Sequence, residues 1–461
     1  MEHIEIAAIV ERQREFFAAG RTADITFRAE RLKSLGRAVD DNRVEIIDAL
    51  KADLGKPAFE AYVSEISPLL FSIGQAAKRV ASWARPRRVG TPSYLLPARS
   101  GIRPEPLGVA LIISPWNYPF GLAMEPLVGA IAAGNCAVLK PSEVSPRTSS
   151  VIAKLAADTF DASHVTVVEG AADVAGFLLA ERFDHIFYTG GGAVGRLVME
   201  AAARNLTPVT LELGGKSPCI VEPDIRIESA ARRIAWGKWF NAGQTCIAPD
   251  YLLVNRAIKD ELLGEIRRCI WAFYGDDPKA SPDYARIVSD RHFDRVSGLL
   301  GGGEVVAGGE TDREARYIAP AIIDNVNLEH PIMREEIFGP LLPVLDYEDL
   351  GEAISMVASR PKPLALYFFS LDREKQGRVL RETTSGGVCL NDTMVHYSNY
   401  ALPFGGVGAS GFGKYHGKAG FEAFSNMRAV VERSFHLDVY LRYPPYRNHA
   451  KPLQRFIRLI T

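Results

Sequence analysis

Between residues 108 and 215 the chain alternates short apolar runs with longer amphipathic ones, and no other feature constrains the fold as strongly. "GVALIIS", "CAVLK", "VTVVEG", "HIFYTG" and "VTLELGG" read as buried strands. The stretches between them, "GLAMEPLVGAIAAG", "RTSSVIAKLAADTF", "AADVAGFLLAE" and "AVGRLVMEAAARN", carry apolar residues at helical spacing. Strands that alternate with helices in this way predict an α/β fold with a doubly wound parallel sheet. Such sheets bind ligands outside the carboxyl ends of their strands. Chemistry is therefore expected at 115–118, 140–143, 189–195 and 212–216. A second alternation, through "SPCIVE", "YLLVN", "IAPAIID" and "LALYFFS", predicts a second α/β region. Residues 1–80 read as helices. The prolines and arginines of 84–106 predict an extended connector or hairpin.

Length and composition narrow the function. A chain of 461 residues has room for two to four domains. A formal net charge of −1 gives no basic surface, which argues against nucleic acid as a partner. The five cysteines are odd in number and form no CxxC pair, so neither a disulfide framework nor a zinc site is expected, and no metal is assigned. Unpaired thiols fit a reducing compartment, and a cytoplasmic location is expected. The N-terminus lacks the basic-then-apolar pattern of a signal peptide. No run approaches the ~20 apolar residues of a membrane span. The last segment, "RYPPYRNHAKPLQRFIRLIT", reads as a docked tail or partner contact, not a stable membrane anchor.

Several short motifs fall at the expected strand ends. In "YTGGGAVG", Gly190, Gly192 and Gly195 form a GxGxxG between strand and helix. Such glycines let backbone N–H groups approach a pyrophosphate, though they also simply make tight turns. Glu212 stands 22 residues after Gly190, where a ribose-binding carboxylate is usual. Yet Val209, Leu211 and Leu213 alternate with Glu212, so its side chain leaves the sheet on the face opposite to theirs. A partly desolvated carboxylate there has a raised pKa and suits general-base work. In "SPWNYPF", Asn117 carries an amide that can donate to an oxyanion or bond its own turn. In "LKPSE", Lys140 and Glu143 can grip ribose hydroxyls or begin a helix. In "REEIFGP", Glu335 and Glu336 precede Phe338, and in an extended strand they point opposite ways. In "NAGQTCIAPDY", Cys246 is either a small hydrophobe or a reactive thiol.

Taken in this order, "PWNYPF", "LKPSE", "YTGGGAVG", "LELGGKSP", "NAGQTCIAPDY", "EEIFGP" and "LPFGGVGASGFGKYHGK" resemble the aldehyde dehydrogenase superfamily. Glu212 and Cys246 lie 34 positions apart, as in that family. The short N-terminus, "GQTCIAPDY", "YHGK" and "RYPPY" resemble its class 3, dimeric branch. The resemblance implies an aldehyde-dehydrogenase-like fold: a cofactor domain, a second α/β catalytic domain and a small bridging β arm. The expected division is 1–83 and 107–208 for the dinucleotide-binding domain and 209–394 for the catalytic domain. Residues 84–106 and 425–461 are the expected bridging arms, and 395–424 a return segment to the cofactor domain.

The same resemblance implies NAD(P)-dependent oxidation of an aldehyde to a carboxylic acid. Cys246 is the implied nucleophile, giving a thiohemiacetal, and the Asn117 amide with the Cys246 N–H the oxyanion hole. Hydride passes to nicotinamide, and Glu212 activates water to hydrolyse the thioester. Lys140 and Glu143 are assigned to the adenosine ribose and Glu336 to the nicotinamide ribose. Gly190, Gly195 and Phe338 are further implied cofactor contacts. Many relatives carry Ser or Asn where this chain has Gly191. Glu143 repels a 2′-phosphate, so NAD is the expected cofactor, with NADP accepted. Substrates are implied to be aromatic or medium- to long-chain aliphatic aldehydes, and the assembly a homodimer. The alternative is an acylating enzyme that passes the thioester to coenzyme A. His396, Tyr397 and Tyr400 are candidates for the substrate entrance.

Overall fold

The computed structural model describes residues 3–436, 438, 442–446, 454, 455 and 458. The alternation of 108–215 folds into a six-stranded sheet. Its order is Gly411–Phe412, Val209–Leu213, His185–Gly190, Val109–Ile113, Cys136–Lys140, Val165–Val167. The last five are parallel; Gly411–Phe412 runs antiparallel along Val209–Leu213. From the central Val109–Ile113 the chain winds first to one side and then to the other. The switch point therefore opens between the loops that follow Ile113 and Gly190, the crevice where α/β sheets take their ligands.

Strand alternation divides the apolar side chains between two cores. Val109, Leu111, Val138, Ile186, Leu211 and Leu213 pack with Ile6 and Val10 of the helix His3–Ala18. Ala110, Ile112, Leu139 and Phe187 pack with Leu127 and Ile131 of the helix Gly121–Ala133. That helix is buried almost all round, which explains its near-continuous apolar sequence. It stops at Gly134, whose φ of 96° is open to glycine at little cost.

The second alternation forms a seven-stranded sheet: Glu304–Ala307, Ala321–Asp324, Leu341–Tyr347, Tyr251–Asn255, Pro218–Val221, Ala365–Phe369, Gly387–Leu390. All neighbours are parallel except the first pair. The break between the two sheets falls after Leu213, not before Val209 as the sequence division places it. Val209–Leu213 pairs with His185–Gly190, setting Thr189 beside Glu212. The long connection Gly214–Ser217, rather than the preceding helix, separates the two sheets.

The 84–106 segment forms a hairpin, Arg87–Val89 with Ala98–Pro106, and Ser425–Arg433 completes an exposed three-stranded antiparallel sheet. Most of the tail "RYPPYRNHAKPLQRFIRLIT" lies outside the described residues. Among the described residues no helix is long and apolar enough to cross a membrane.

Candidate active site

Cys246 sits on a loop that the surrounding structure holds in an uncommon conformation. After the helix Ile227–Trp239, Asn241 and Ala242 adopt successive left-handed conformations, with φ of 54° and 52°. Non-glycine residues rarely do this, and such strain persists only where neighbours over-determine it. Here they do. The Asn241 N–H donates to Glu60 Oε2 at 3.1 Å, and its side-chain amide donates to the Asn117 carbonyl at 2.9 Å. Gln244 Nε2 donates to the carbonyls of Asn241 and Arg286, and Gln244 Oε1 accepts from Val288 N.

The result is a thiol facing two cavities at once. One, of about 270 Å³, is lined by Cys246, Glu212, Asn117, Thr189–Gly191, Gly214, Glu336 and Phe338. It occupies the switch-point crevice of the first sheet. The other, of about 210 Å³, is largely apolar and is lined by Cys246, Val63, Leu122, Trp236, Phe240, Ile247, Met394 and Tyr397. Tyr118 Oη and Thr245 Oγ1 hydrogen-bond at 2.6 Å in its wall.

Glu212, Asn117 and Cys246 thus converge from sequence segments more than 30 residues apart. Glu212 is 2 % exposed, and its Oε1 has no protein partner. Burial pushes its carboxyl up to about 8, partly offset by its hydrogen bond with Cys246. Burial, then the nearby Glu212 and Glu336, hold the Cys246 thiol well above its ordinary value. The protein groups alone therefore work against the thiolate, the reactive form of a cysteine. Two carboxyls and a thiol share one buried pocket, which works against ionising any of them. The Asn117 amide donates one N–H to the Gln244 carbonyl at 3.1 Å, which leaves its second N–H free beside Cys246.

Glu336 reaches the cavity by crossing Gly214, where a Cβ would collide with its carboxylate. Burial, then Asp250, push its carboxyl up to about 8. The loop that carries it is fixed from several sides. Lys216 Nζ donates to the carbonyls of Ile332 and Glu335 and pairs with Asp250, which accepts from Ile337 N at 2.9 Å. Arg295 donates to the carbonyls of Glu336 and Ile337. Phe338, at φ 48°, lays its ring edge-on to Trp116, 5.3 Å between centroids.

Of the remaining candidates only Gly190 lines this cavity. Lys140 and Glu143 pair with each other at 2.7 Å, one strand along the same carboxyl edge, with Lys140 beside Ile113. Gly190 lines the cavity, but Gly195 does not. Its missing side chain lets the helix Gly192–Arg204 approach Leu213, which a Cβ would meet at 2.9 Å. Tyr397 lines the apolar cavity, whereas His396 and Tyr400 do not. Tyr400 instead stacks on His416, and His396 Nδ1 contacts Cys389 Sγ at 3.1 Å. The sequence reading did not single out Lys56, Glu60, Glu65, Asp250, His292 or Arg295. Each is an ordinary charged or polar residue in sequence, and all but Asp250 are brought to the site only by long-range packing.

The aldehyde dehydrogenase family model matches residues 2–430, nearly the whole chain. The chain belongs to the aldehyde dehydrogenase family. It is 46% identical over 445 residues to the 4,4'-diaponeurosporen-aldehyde dehydrogenase of Staphylococcus aureus, covering 96% of this chain and 97% of that one. It is also 46% identical to the rat "aldehyde dehydrogenase, dimeric NADP-preferring", over 95% of this chain and 98% of the relative. Among solved structures, the substrate-bound state of a Staphylococcus aureus aldehyde dehydrogenase superposes with a TM-score of 0.96 at 45% identity, covering 99% of this chain and 100% of that one. The protein is an NAD(P)-dependent aldehyde dehydrogenase with the family's α/β fold, of the class 3 type.

The larger crevice suits a dinucleotide. It holds the orphaned Glu212 oxygen, and no atom lies within 4 Å of where side chains at Gly191 and Gly192 would begin.

Proposed function

We propose that this aldehyde dehydrogenase oxidises aromatic or medium- to long-chain aliphatic aldehydes to carboxylic acids through a thioester on Cys246. The observation that carries this reading is the position of Cys246: one sulfur lines both the polar crevice that holds Glu212 and an apolar cavity. The aldehyde enters the apolar cavity. With its proton passed to solvent through the crevice, Cys246 Sγ attacks the carbonyl carbon, forming a thiohemiacetal. The free Asn117 N–H and the Cys246 N–H hold the developing oxyanion. When bound, the nicotinamide accepts the hydride that leaves the thiohemiacetal carbon. Glu212 then draws a proton from water, which attacks the thioester. The acid departs and the Cys246 thiol is restored.

Glu336, Gly190 and Phe338 hold the nicotinamide end of the cofactor, and Lys140 with Glu143 the adenosine ribose; Gly195 shapes the crevice behind them. Burial works against ionisation of Glu143, but the Lys140 hydrogen bond, its own backbone N–H and the Lys140 charge together outweigh it and hold the carboxyl below its usual range. An ionised group there repels a 2′-phosphate and favours NAD over NADP. Hydrolysis is favoured over transfer to coenzyme A because Glu212 lies at the sulfur and would spend the thioester on water. The two sheets form the cofactor and catalytic domains. The exposed three-stranded sheet of 84–106 and 425–433 serves as the bridging arm of a cytoplasmic homodimer.

The test follows NADH absorbance over an aldehyde panel for wild type and Cys246→Ser. Rates that vanish in the variant support the reading. Equal rates remove Cys246 from the reaction, and oxidation that requires added coenzyme A favours the acylating alternative.

A further inference from the structure

The helix Ala58–Trp83 widens into a single π turn at Tyr62–Ile66. Such turns are rare and concentrate at functional sites. This one directs Glu65 inward, where it meets Lys56 in an ion pair whose side chains are both 0 % exposed. Burying two charges is costly, and an apolar pair is often as stable. What the pair contacts explains its placement. Lys56 Nζ donates to the Asn117 carbonyl at 3.1 Å and lies 4.2 Å from the centre of the Tyr118 ring. Glu65 Oε2 accepts from the N–H groups of Phe120 and Gly121, at 2.9 and 3.1 Å. Tyr118 in turn bonds Thr245, the neighbour of Cys246. Every contact falls on the segment 117–121, and two elements remote in sequence grip it from one side.

We propose that Lys56 and Glu65 are positioning residues for the oxyanion hole, clamping the 117–121 segment so that the Asn117 amide faces Cys246. The inference rests on the assignment of Asn117 as oxyanion donor. Lys56 fixes the carbonyl of Asn117, and Glu65 fixes the N–H groups just beyond it. Between these anchors the Asn117 side chain has one direction, with one N–H on Gln244 and the other free. Without the clamp the carbonyl at 117 keeps only the Asn241 amide as donor, and shifts on the order of 0.5 Å already degrade a preorganised site.

The experiment is a double-mutant cycle on steady-state aldehyde oxidation, with Asn117→Ala, Lys56→Met and the double variant. Loss of an oxyanion donor lowers kcat about 10²–10³-fold, and that is expected for Asn117→Ala. Lys56→Met is expected to lower kcat roughly tenfold or more, with NADH affinity by fluorescence titration unchanged. In the Asn117→Ala background it is expected to cost less than about twofold more, because it acts through that amide. Should Lys56→Met not fold, Glu65→Met carries the same cycle, since it removes the acceptor of the Phe120 and Gly121 N–H groups. An unimpaired Asn117→Ala overturns the oxyanion assignment itself. An impaired Asn117→Ala with losses that multiply in the double variant, or an unimpaired Lys56→Met, overturns the clamp alone.

Discussion

Replacing Glu212 with Gln keeps the shape of a side chain that is 2 % exposed and removes only its capacity to take a proton. General-base catalysis typically contributes about 10²–10⁴-fold, so thioester hydrolysis is expected to slow by that factor, about 3–5 kcal/mol of barrier. Hydride transfer precedes hydrolysis and is expected to suffer less. Stopped-flow absorbance therefore gives a burst of one NADH per Cys246, then a slow steady rate. The wild-type hydrolysis rate is expected to rise with pH through about 8, because burial places the Glu212 carboxyl there and the base works ionised. In Glu212→Gln that rise is lost. The same shift bears on stability. A carboxyl whose folded value is raised from 4.5 to about 8 penalises the fold as pH climbs from the lower value through the higher. At pH 7 the penalty is on the order of 3 kcal/mol, and Glu212→Gln escapes it. Its thermal midpoint relative to wild type is expected to rise between pH 5 and 8. A variant with no burst and a steady rate within about threefold of wild type would refute the assignment of Glu212 as base.

Other perturbations separate the two cavities. Gly214→Ala puts a Cβ where the Glu336 carboxylate lies, and is expected to raise KM for NAD roughly tenfold with the aldehyde KM little changed. Glu143→Gln removes the charge near the adenosine ribose; the ratio of kcat/KM for NADP to that for NAD is expected to rise, and a constant ratio would exclude Glu143 from cofactor choice. Val63→Phe narrows the apolar cavity of about 210 Å³. It is expected to depress kcat/KM for bulky aldehydes more than for short ones, measured across a chain-length series at saturating NAD.

The sequence carried the first sheet almost whole, because fully buried parallel strands must be apolar throughout and their helices amphipathic. It also singled out Cys246, Glu212, Asn117 and Glu336, which line one cavity: Glu212 near the end of a strand, the others in turns whose glycines and prolines stand out. The misplaced break at residue 209 has a simple cause. The alternation of 108–215 already counts 209–213 among the strands of the first sheet, as its pairing with His185–Gly190 bears out; the break at 209 comes with the division that the resemblance implies. The apolar cavity was hidden: its walls come from 63–68, 118–122, 236–247 and 394–398. Glu65 looks like a surface helix charge until the π turn directs it inward, and Lys56, on the short loop between two helices, meets it there. Tyr397 reaches the cavity while Tyr400 turns away, a difference set by the local turn at Val395–Ser398 and not by residue type.

The claim on which the rest depends is a covalent bond between substrate carbon and the sulfur of residue 246. Its most direct test is mass spectrometry of Glu212→Gln, quenched in acid during turnover with aldehyde and NAD and then digested. An added acyl mass on the peptide containing Cys246, absent when NAD is omitted, is the expected result. An unmodified Cys246 peptide during a sustained burst of NADH, or the acyl mass on another residue, would contradict the account.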